Sequence, residues 1–116
     1  MNEEFVKSIY TAIAEDNVAT YKLLFSDTAT DENTIDYWKR ALSLYEKFDS
    51  SQQEIFFSII ENIIVDTISN VLGVMDGVCA IDDKEWSFKV NINGVSTDNS
   101  LQDDFLEYVE TMEGRE

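Results

Sequence analysis

The sequence predicts an α+β domain that is mainly helical, with four or five helices around one long central helix and a small antiparallel β-sheet. Three observations predict this class. Residues 51–75 are capped and mostly apolar, four other segments repeat apolar residues every three to four positions, and one short stretch alternates apolar and polar residues before an Asn-Gly pair. With 116 residues there is room for one core, so we expect a single compact domain over 1–116.

Two helices are expected at the start of the chain. Apolar residues from Asn2 onward recur on one helical face, and Glu3 and Glu4 lie in the first turn, where the helix dipole favours negative charge. The pattern breaks around Asp16 and then restarts. A short second helix, capped by Asp16, is therefore expected to end near Ser26.

A third helix is expected after the turn-rich stretch SDTATDENT. Asp31 is a candidate cap, and the helix would end at 49–50. Its apolar face is spaced at three to four residues and comprises Ile35, Trp38, Leu42, Tyr45 and Phe48.

The central helix is predicted by its start and by its composition. Ser51 and Glu54 have the spacing of a capping box, and no Gly or Pro follows until Gly73. Apolar residues cover a broad arc with only a thin polar stripe, which predicts a helix buried on most sides. Charges such as Glu61 and Asp66 interrupt the run, so it falls short of a membrane span.

A three-stranded sheet and a last helix are expected after a bend at Asp76. The run VCAI and the alternating residues 86–92 are candidate strands, and Asn93-Gly94 favours a type I′ hairpin that returns along 95–97. Ser100 and Asp103 resemble a capping box for a helix that would stop at Gly114.

Charge is the strongest global signal, because the chain has 24 acidic residues and only 8 basic ones, so its formal net charge is −16. Binding to phosphate requires Lys and Arg, so nucleic acid and anionic membranes are poor direct partners and a basic protein is favoured. The alternative is that the acidity serves only solubility.

Two surfaces are predicted to contact such a partner. On the last helix, Asp103, Asp104, Glu107 and Glu110 lie opposite its apolar face, where their mutual repulsion would be relieved by a cationic surface. On the third helix, Asp36 and Tyr37 fall off the Trp38 face. The alternative for the last helix is a merely solvated face.

The sequence contains few residues suited to metal binding or catalysis. The chain has no His, one Cys and no EF-hand loop, so we expect no metal, no cofactor and no enzymatic activity. Asp66 and Asn70 lie at the margin of the apolar arc, where a carboxylate needs hydrogen bonds, and we expect a structural network there rather than a catalytic acid. The lone cysteine, Cys79, and the acidic amino-terminal segment indicate a reducing, cytoplasmic setting.

The order of features also carries a resemblance. An apolar helix running into LGVMDGVCAI, a Trp/Phe strand, an Asn-Gly hairpin and a closing LQDDFLEYVE helix resemble small acidic bacterial proteins of uncharacterised families, some of which look like immunity proteins. That resemblance implies a tight complex with a basic toxin domain, often a nuclease, without any cofactor.

The predicted function is thus a small acidic cytoplasmic protein that neutralises a basic partner, with an immunity protein as its concrete form. A mimic of DNA that presents carboxylates to a DNA-binding protein is a close variant. The alternative from another class is a structural or regulatory module that associates with a second copy of itself. An enzyme based on carboxylate chemistry is the third reading.

Overall fold

Helices dominate residues 1–113, which are the residues that the structure, a computed structural model, describes. The mainly helical α+β class, the long central helix and the antiparallel hairpin are confirmed. The predicted helix end at Gly114 lies outside the described residues. The elements are α1 (Asn2–Ile9), a π-helical segment (Tyr10–Glu15), α2 (Asp16–Asp27), α3 (Asp36–Glu46), α4 (Ser50–Met75), β1 (Asn91–Ile92), β2 (Val95–Ser96) and α5 (Leu101–Glu113).

The second helix spans Asp16–Asp27, close to its predicted bounds, but it follows the preceding helix without interruption, so the predicted cap at Asp16 is wrong. Ile9, Glu15 and Asp16 all keep right-handed helical backbone angles. A π-helical segment inserts between α1 and α2 and shifts the apolar phase without ending the helix. The interruption of the apolar pattern before Asp16 therefore reflects a change from α-helical to π-helical geometry and not the end of a helix.

The caps of α3 and α4 differ from the predicted ones. Asp31 folds the turn before α3, where its Oδ1 accepts the Asn33 N–H at 2.8 Å, whereas α3 begins five residues later at Asp36. At α4, Asp49 Oδ1 accepts the Gln52 N–H at 2.8 Å and Gln52 Oε1 accepts the Asp49 N–H at 2.9 Å. This pair is the actual capping box, so the helix begins at Ser50 and the predicted pairing of Ser51 with Glu54 is wrong.

The sheet is smaller than predicted. β1 and β2 pair antiparallel, and Asn93 and Gly94 have φ of 51° and 81°, which confirms the type I′ hairpin. Pairing reaches back only to Val90, whose carbonyl oxygen accepts the Thr97 N–H at 3.0 Å. Among residues 78–90 the structure assigns no strand, because their backbone meets no neighbouring strand. The expected three-stranded sheet is therefore wrong.

Two apolar clusters lie along α4. The first joins α1, the π segment, α5 and the C-terminal half of α4, and its buried members are Val6, Tyr10, Ala14, Val65, Ile68, Leu72, Leu101, Phe105 and Val109. The second is aromatic and joins α2 and α3 to the N-terminal half of α4. Phe25 is its centre, with ring centroids 5.0 Å from Tyr45, 5.1 Å from Phe56 and 5.8 Å from Trp38.

The central helix is covered on one side only, so the expected burial on most sides is wrong. Its buried residues are Phe57, Val65, Ile68, Ser69, Leu72 and Gly73. Because the other elements pack on one side of α4, the described residues extend over 50 × 37 × 24 Å with a radius of gyration of 17.9 Å. A compact domain of this length would have a radius of gyration of about 13 Å. The chain is thus more elongated than we predicted.

By length and composition α4 could cross a membrane, with a mean hydropathy of 1.6 over 18 residues and 17% of that window buried. Core helices of soluble proteins can be as long and as apolar, but they are mostly buried, whereas α4 is not. Here α4 packs alongside α2 and α5, and it carries an exposed aspartate, Asp66, near its middle. An aspartate at the centre of a bilayer costs about 2.5–3.5 kcal/mol. The packing and the charge favour a soluble protein.

Candidate protein-interaction surfaces

The acidic face of α5 is defined here by Asp103, Glu107 and Glu110, which are all exposed. The helical period places these residues on one side, while Phe105 and Val109 are buried on the other. The apolar side holds α5 against α1 and α4 and so fixes the carboxylates toward solvent. This geometry is the one predicted from the sequence.

Asp104 differs from its predicted companions. Its carboxylate is half-buried, and Oδ2 accepts a hydrogen bond from Asn2 Nδ2 at 2.9 Å and lies 3.1 Å from Ser100 Oγ. Asn2 Nδ2 also donates to the Thr97 carbonyl oxygen at 3.0 Å. One Asp104 oxygen is therefore committed to holding the amino terminus on α5, which leaves the second oxygen for any partner.

Carboxylates of the described residues are largely without an ion-pair partner. Among residues 1–113 the single ion pair joins the Met1 ammonium to Glu3 Oε2 at 3.3 Å. The pKa of Glu3 lies below its ordinary value, first because of a backbone hydrogen bond and then because of the ammonium group. The acidic face of α5 thus has no Lys or Arg partner in the part of the chain that the structure describes.

The second predicted surface lies on α3. Asp36 is exposed and Tyr37 is 65% exposed, beside a shallow depression that Arg40 and Leu44 line with it. Tyr45 of α3 packs on Phe56 in the N-terminal half of α4, whereas α5 packs on the C-terminal half, so the two predicted surfaces lie in different regions of the molecule. The structure does not bring them together.

The expected network at Asp66 and Asn70 is wrong, because both side chains are exposed to solvent and need no internal partner. The buried carboxylate is Asp76, which is 6% exposed. It accepts the backbone N–H of Leu101 at 3.2 Å and that of Gln102 at 2.7 Å. The end of α4 therefore caps the start of α5.

This cap also corrects the prediction for the start of α5. Ser100 Oγ does not pair with Asp103 but donates to the Thr97 carbonyl oxygen at 2.9 Å. Asp76 stands 25 residues before Leu101, so the local spacing that indicates a capping box could not reveal it. The only signal in the sequence was an aspartate at the predicted bend before Gly77.

A groove lined by the π-helical segment, α2, α4 and α5 contains Tyr10, whose titration is shifted mainly by burial. Tyr10 is 6% exposed and its hydroxyl donates to Glu61 Oε1 at 3.5 Å. Burial, followed by the negative charges of Glu61 and Glu15, raises the pKa of Tyr10 to about 12. Lys22 also lines this groove. The phenol is therefore kept neutral and serves as a hydrogen-bond donor.

Metal-binding chemistry finds no support in the geometry. Over residues 1–113 no three Asp, Glu, Cys or His side chains converge in a way that could hold a metal ion. Cys79 is half-buried and lies 3.7 Å from the Gln102 amide nitrogen, which also donates to the Ser69 carbonyl oxygen at 3.0 Å. These contacts tie the segment after α4 to α5.

The outer face of α4 is a surface that the sequence prediction missed. It comprises Ile55, Ile59, Asn62, Ile63, Asp66 and Asn70, all exposed. The three isoleucines are between 52% and 59% exposed. The signal in the sequence was the ridge of Asn62, Asp66 and Asn70, which continues the line of these isoleucines and marks the side of the helix that faces water.

Comparison with known proteins finds no matching family model, no matching curated protein and no matching solved structure. What the chain binds therefore has to follow from its own surfaces.

Proposed function

We propose that this chain is an acidic binding protein that neutralises a basic partner protein. The supporting observation is the unpaired charge. The net charge is −16, and the carboxylates of the α5 acidic face have no Lys or Arg partner among residues 1–113. Such a surface attracts a positively charged protein over a distance set by the ionic strength, which favours fast association.

The concrete form that we propose is an immunity protein, or another inhibitor of a toxin such as a nuclease, in the cytoplasm. A nuclease needs a basic surface to bind phosphates. Rows of exposed carboxylates on a helix fit such a surface, and a mimic of DNA would use the same geometry. No cofactor is required for this role, because binding alone blocks access of the nucleic acid.

A self-associating module remains the second candidate, because the outer face of α4 exposes three isoleucines to solvent. Exposed apolar patches mark interaction sites. The net charge opposes self-association, because a dimer would bring together two chains that each have a net charge of −16.

The test is capture from native host lysate at low and at moderate salt, with the captured proteins identified by mass spectrometry. The test variant carries Asp103→Asn, Glu107→Gln and Glu110→Gln. We expect the wild type to retain one basic protein, in a complex that weakens with added salt, and the variant to lose it. Purified partner is then assayed for nuclease activity with and without an equimolar amount of the chain.

A matched control variant changes the net charge equally but elsewhere, through Asp27→Asn, Glu32→Gln and Glu46→Gln, which are all exposed. If both variants lose the partner equally, net charge rather than the α5 face causes binding. If the wild type retains no basic protein and sediments as a dimer that added salt stabilises, the self-associating module replaces this proposal.

A further inference from the structure

The outer face of α4 forms a continuous stripe with two chemically different halves. Its six residues span about 100° of the helix circumference and about 22 Å of its length. The N-terminal half contains Ile55, Ile59 and Ile63 with Asn62 at its edge, and the C-terminal half contains Asp66 and Asn70. Each isoleucine is more than half exposed, although removing such side chains from water is favourable.

No Lys or Arg of residues 1–113 forms an ion pair along this stripe. No Lys or Arg occurs between Lys47 and Lys84, so α4 contains only acidic charges. Asp66 is exposed and has no ion-pair partner among residues 1–113. Whatever covers the isoleucines must therefore also face a carboxylate, and a cation in that position would be stabilised.

A second copy of this chain fits the stripe poorly. Two α4 helices would bring acids to acids, because neither offers a Lys or Arg. Three half-exposed isoleucines from each copy also fall well short of the roughly 1,200 Å² that the smallest stable interfaces bury. A partner of opposite charge avoids the repulsion and can extend its contacts over neighbouring acidic surface.

We propose that the outer face of α4 docks a cationic amphipathic helix of the partner. The partner's apolar side chains lie on Ile55, Ile59 and Ile63, and a Lys or Arg about one turn further along pairs with Asp66. This is the helix-on-helix mode of recognition, in which apolar anchors recur at three to four residues. The inference rests on the proposed function: the outer face of α4 would supply much of the apolar contact between this chain and its basic partner.

The probe is a short fluorescent peptide of Leu and Lys patterned as an amphipathic helix, compared with an isomer of identical composition whose order abolishes the pattern. Binding is measured by anisotropy at low ionic strength. We expect the patterned peptide to bind at least about tenfold more tightly, since charge is equal and only the apolar face differs. In methyl NMR spectra the shifts should concentrate at Ile55, Ile59 and Ile63.

Ile59→Ser with Ile63→Ser should weaken binding of the patterned peptide by about tenfold. Asp66→Asn should reduce the salt dependence of its binding. The matched control, Leu23→Ser with Ile81→Ser, removes two exposed apolar side chains outside α3, α4 and α5 and should leave the affinity unchanged.

Three results would overturn this inference. Equal binding of both peptides, with shifts at the amides of Asp103 and Glu107, would refute the α4 site while the proposed function stands. Absence of binding by either peptide would refute the α4 site, while capture of a basic protein from lysate decides the proposed function separately. A dimer of the chain, seen by sedimentation and abolished by Ile59→Ser with Ile63→Ser, would assign the outer face of α4 to a second copy.

Discussion

Individual carboxylates in this chain have different tasks that composition alone does not separate. Asp76 is buried and caps a helix, Asp104 holds the amino terminus, and Asp103 is exposed. Each role follows from the donors within reach. A carboxylate beside free backbone N–H groups becomes structural, whereas one that faces water keeps its charge available to a partner.

The stability of the fold should fall at high pH because of Tyr10. Its pKa is about 12 in the folded chain against an ordinary 10.0. The folded state therefore holds its proton longer than the unfolded state does. The contribution is fully present below about pH 10 and is lost as the pH rises toward 12. Urea unfolding across this range should show the loss.

The variant Tyr10→Phe is the control for this titration, because it keeps the ring in the core but cannot ionise. The difference in unfolding free energy between wild type and variant should narrow or reverse as the pH rises. If the two proteins respond identically to pH, Tyr10 does not carry the effect.

At the scale of elements, α4 is a scaffold with one side covered. Its N-terminal half meets the aromatic cluster and its C-terminal half meets α1 and α5, while the outer face remains open. The contact that joins α4 to α5 is the cap that Asp76 supplies to the first N–H groups of α5. Because these groups have no partner within their own helix, the cap couples the two helices.

Replacing Asp76 with Ala should therefore lower the free energy of unfolding by about 1–3 kcal/mol, since two backbone donors lose their acceptor in a buried position. The matched control is Asp66→Ala on the exposed face of α4. This substitution should change the free energy of unfolding by less than about 0.5 kcal/mol. Chemical denaturation of both variants measures the difference. Equal losses would mean that the cap is not a stabilising contact.

The whole molecule combines an elongated shape with a high net negative charge. A chain with −16 and a radius of gyration of 17.9 Å spreads its repulsion over a large surface, and the single ion pair within residues 1–113 offsets little of it. Self-repulsion of this kind opposes the compact state and also keeps copies apart. Both effects depend on ionic strength.

Thermal stability should consequently rise with salt. Raising NaCl from about 0.01 M to about 1 M shortens the Debye length from about 30 Å to about 3 Å, which screens the repulsion between carboxylates. We expect Tm to increase in differential scanning calorimetry. The variant Asp103→Asn, Glu107→Gln, Glu110→Gln should have a higher Tm at low salt and a smaller increase of Tm with salt. An equal increase in both proteins would show that repulsion between these carboxylates does not cause the salt dependence.

Several features could be predicted from the sequence because they depend on neighbours within a few residues. Helical periodicity predicted the helices and the acidic side of α5, and Asn93-Gly94 predicted the turn whose positive φ values the structure has. The net charge needs no structure at all. These signals are local or summed over the chain, so folding does not alter them.

Only the tertiary structure decided which apolar side chains are covered. Ile63 and Ile68 look alike in the sequence, yet Ile63 faces solvent and Ile68 packs in the core, because α1 and α5 reach one side of α4 only. In the same way, the cap of α5 comes from a distant aspartate, and the alternation after Trp86 yields no long strand because no neighbouring strand meets it. Burial, capping across helices and strand pairing depend on segments far apart in the chain, and no local pattern records where those segments meet.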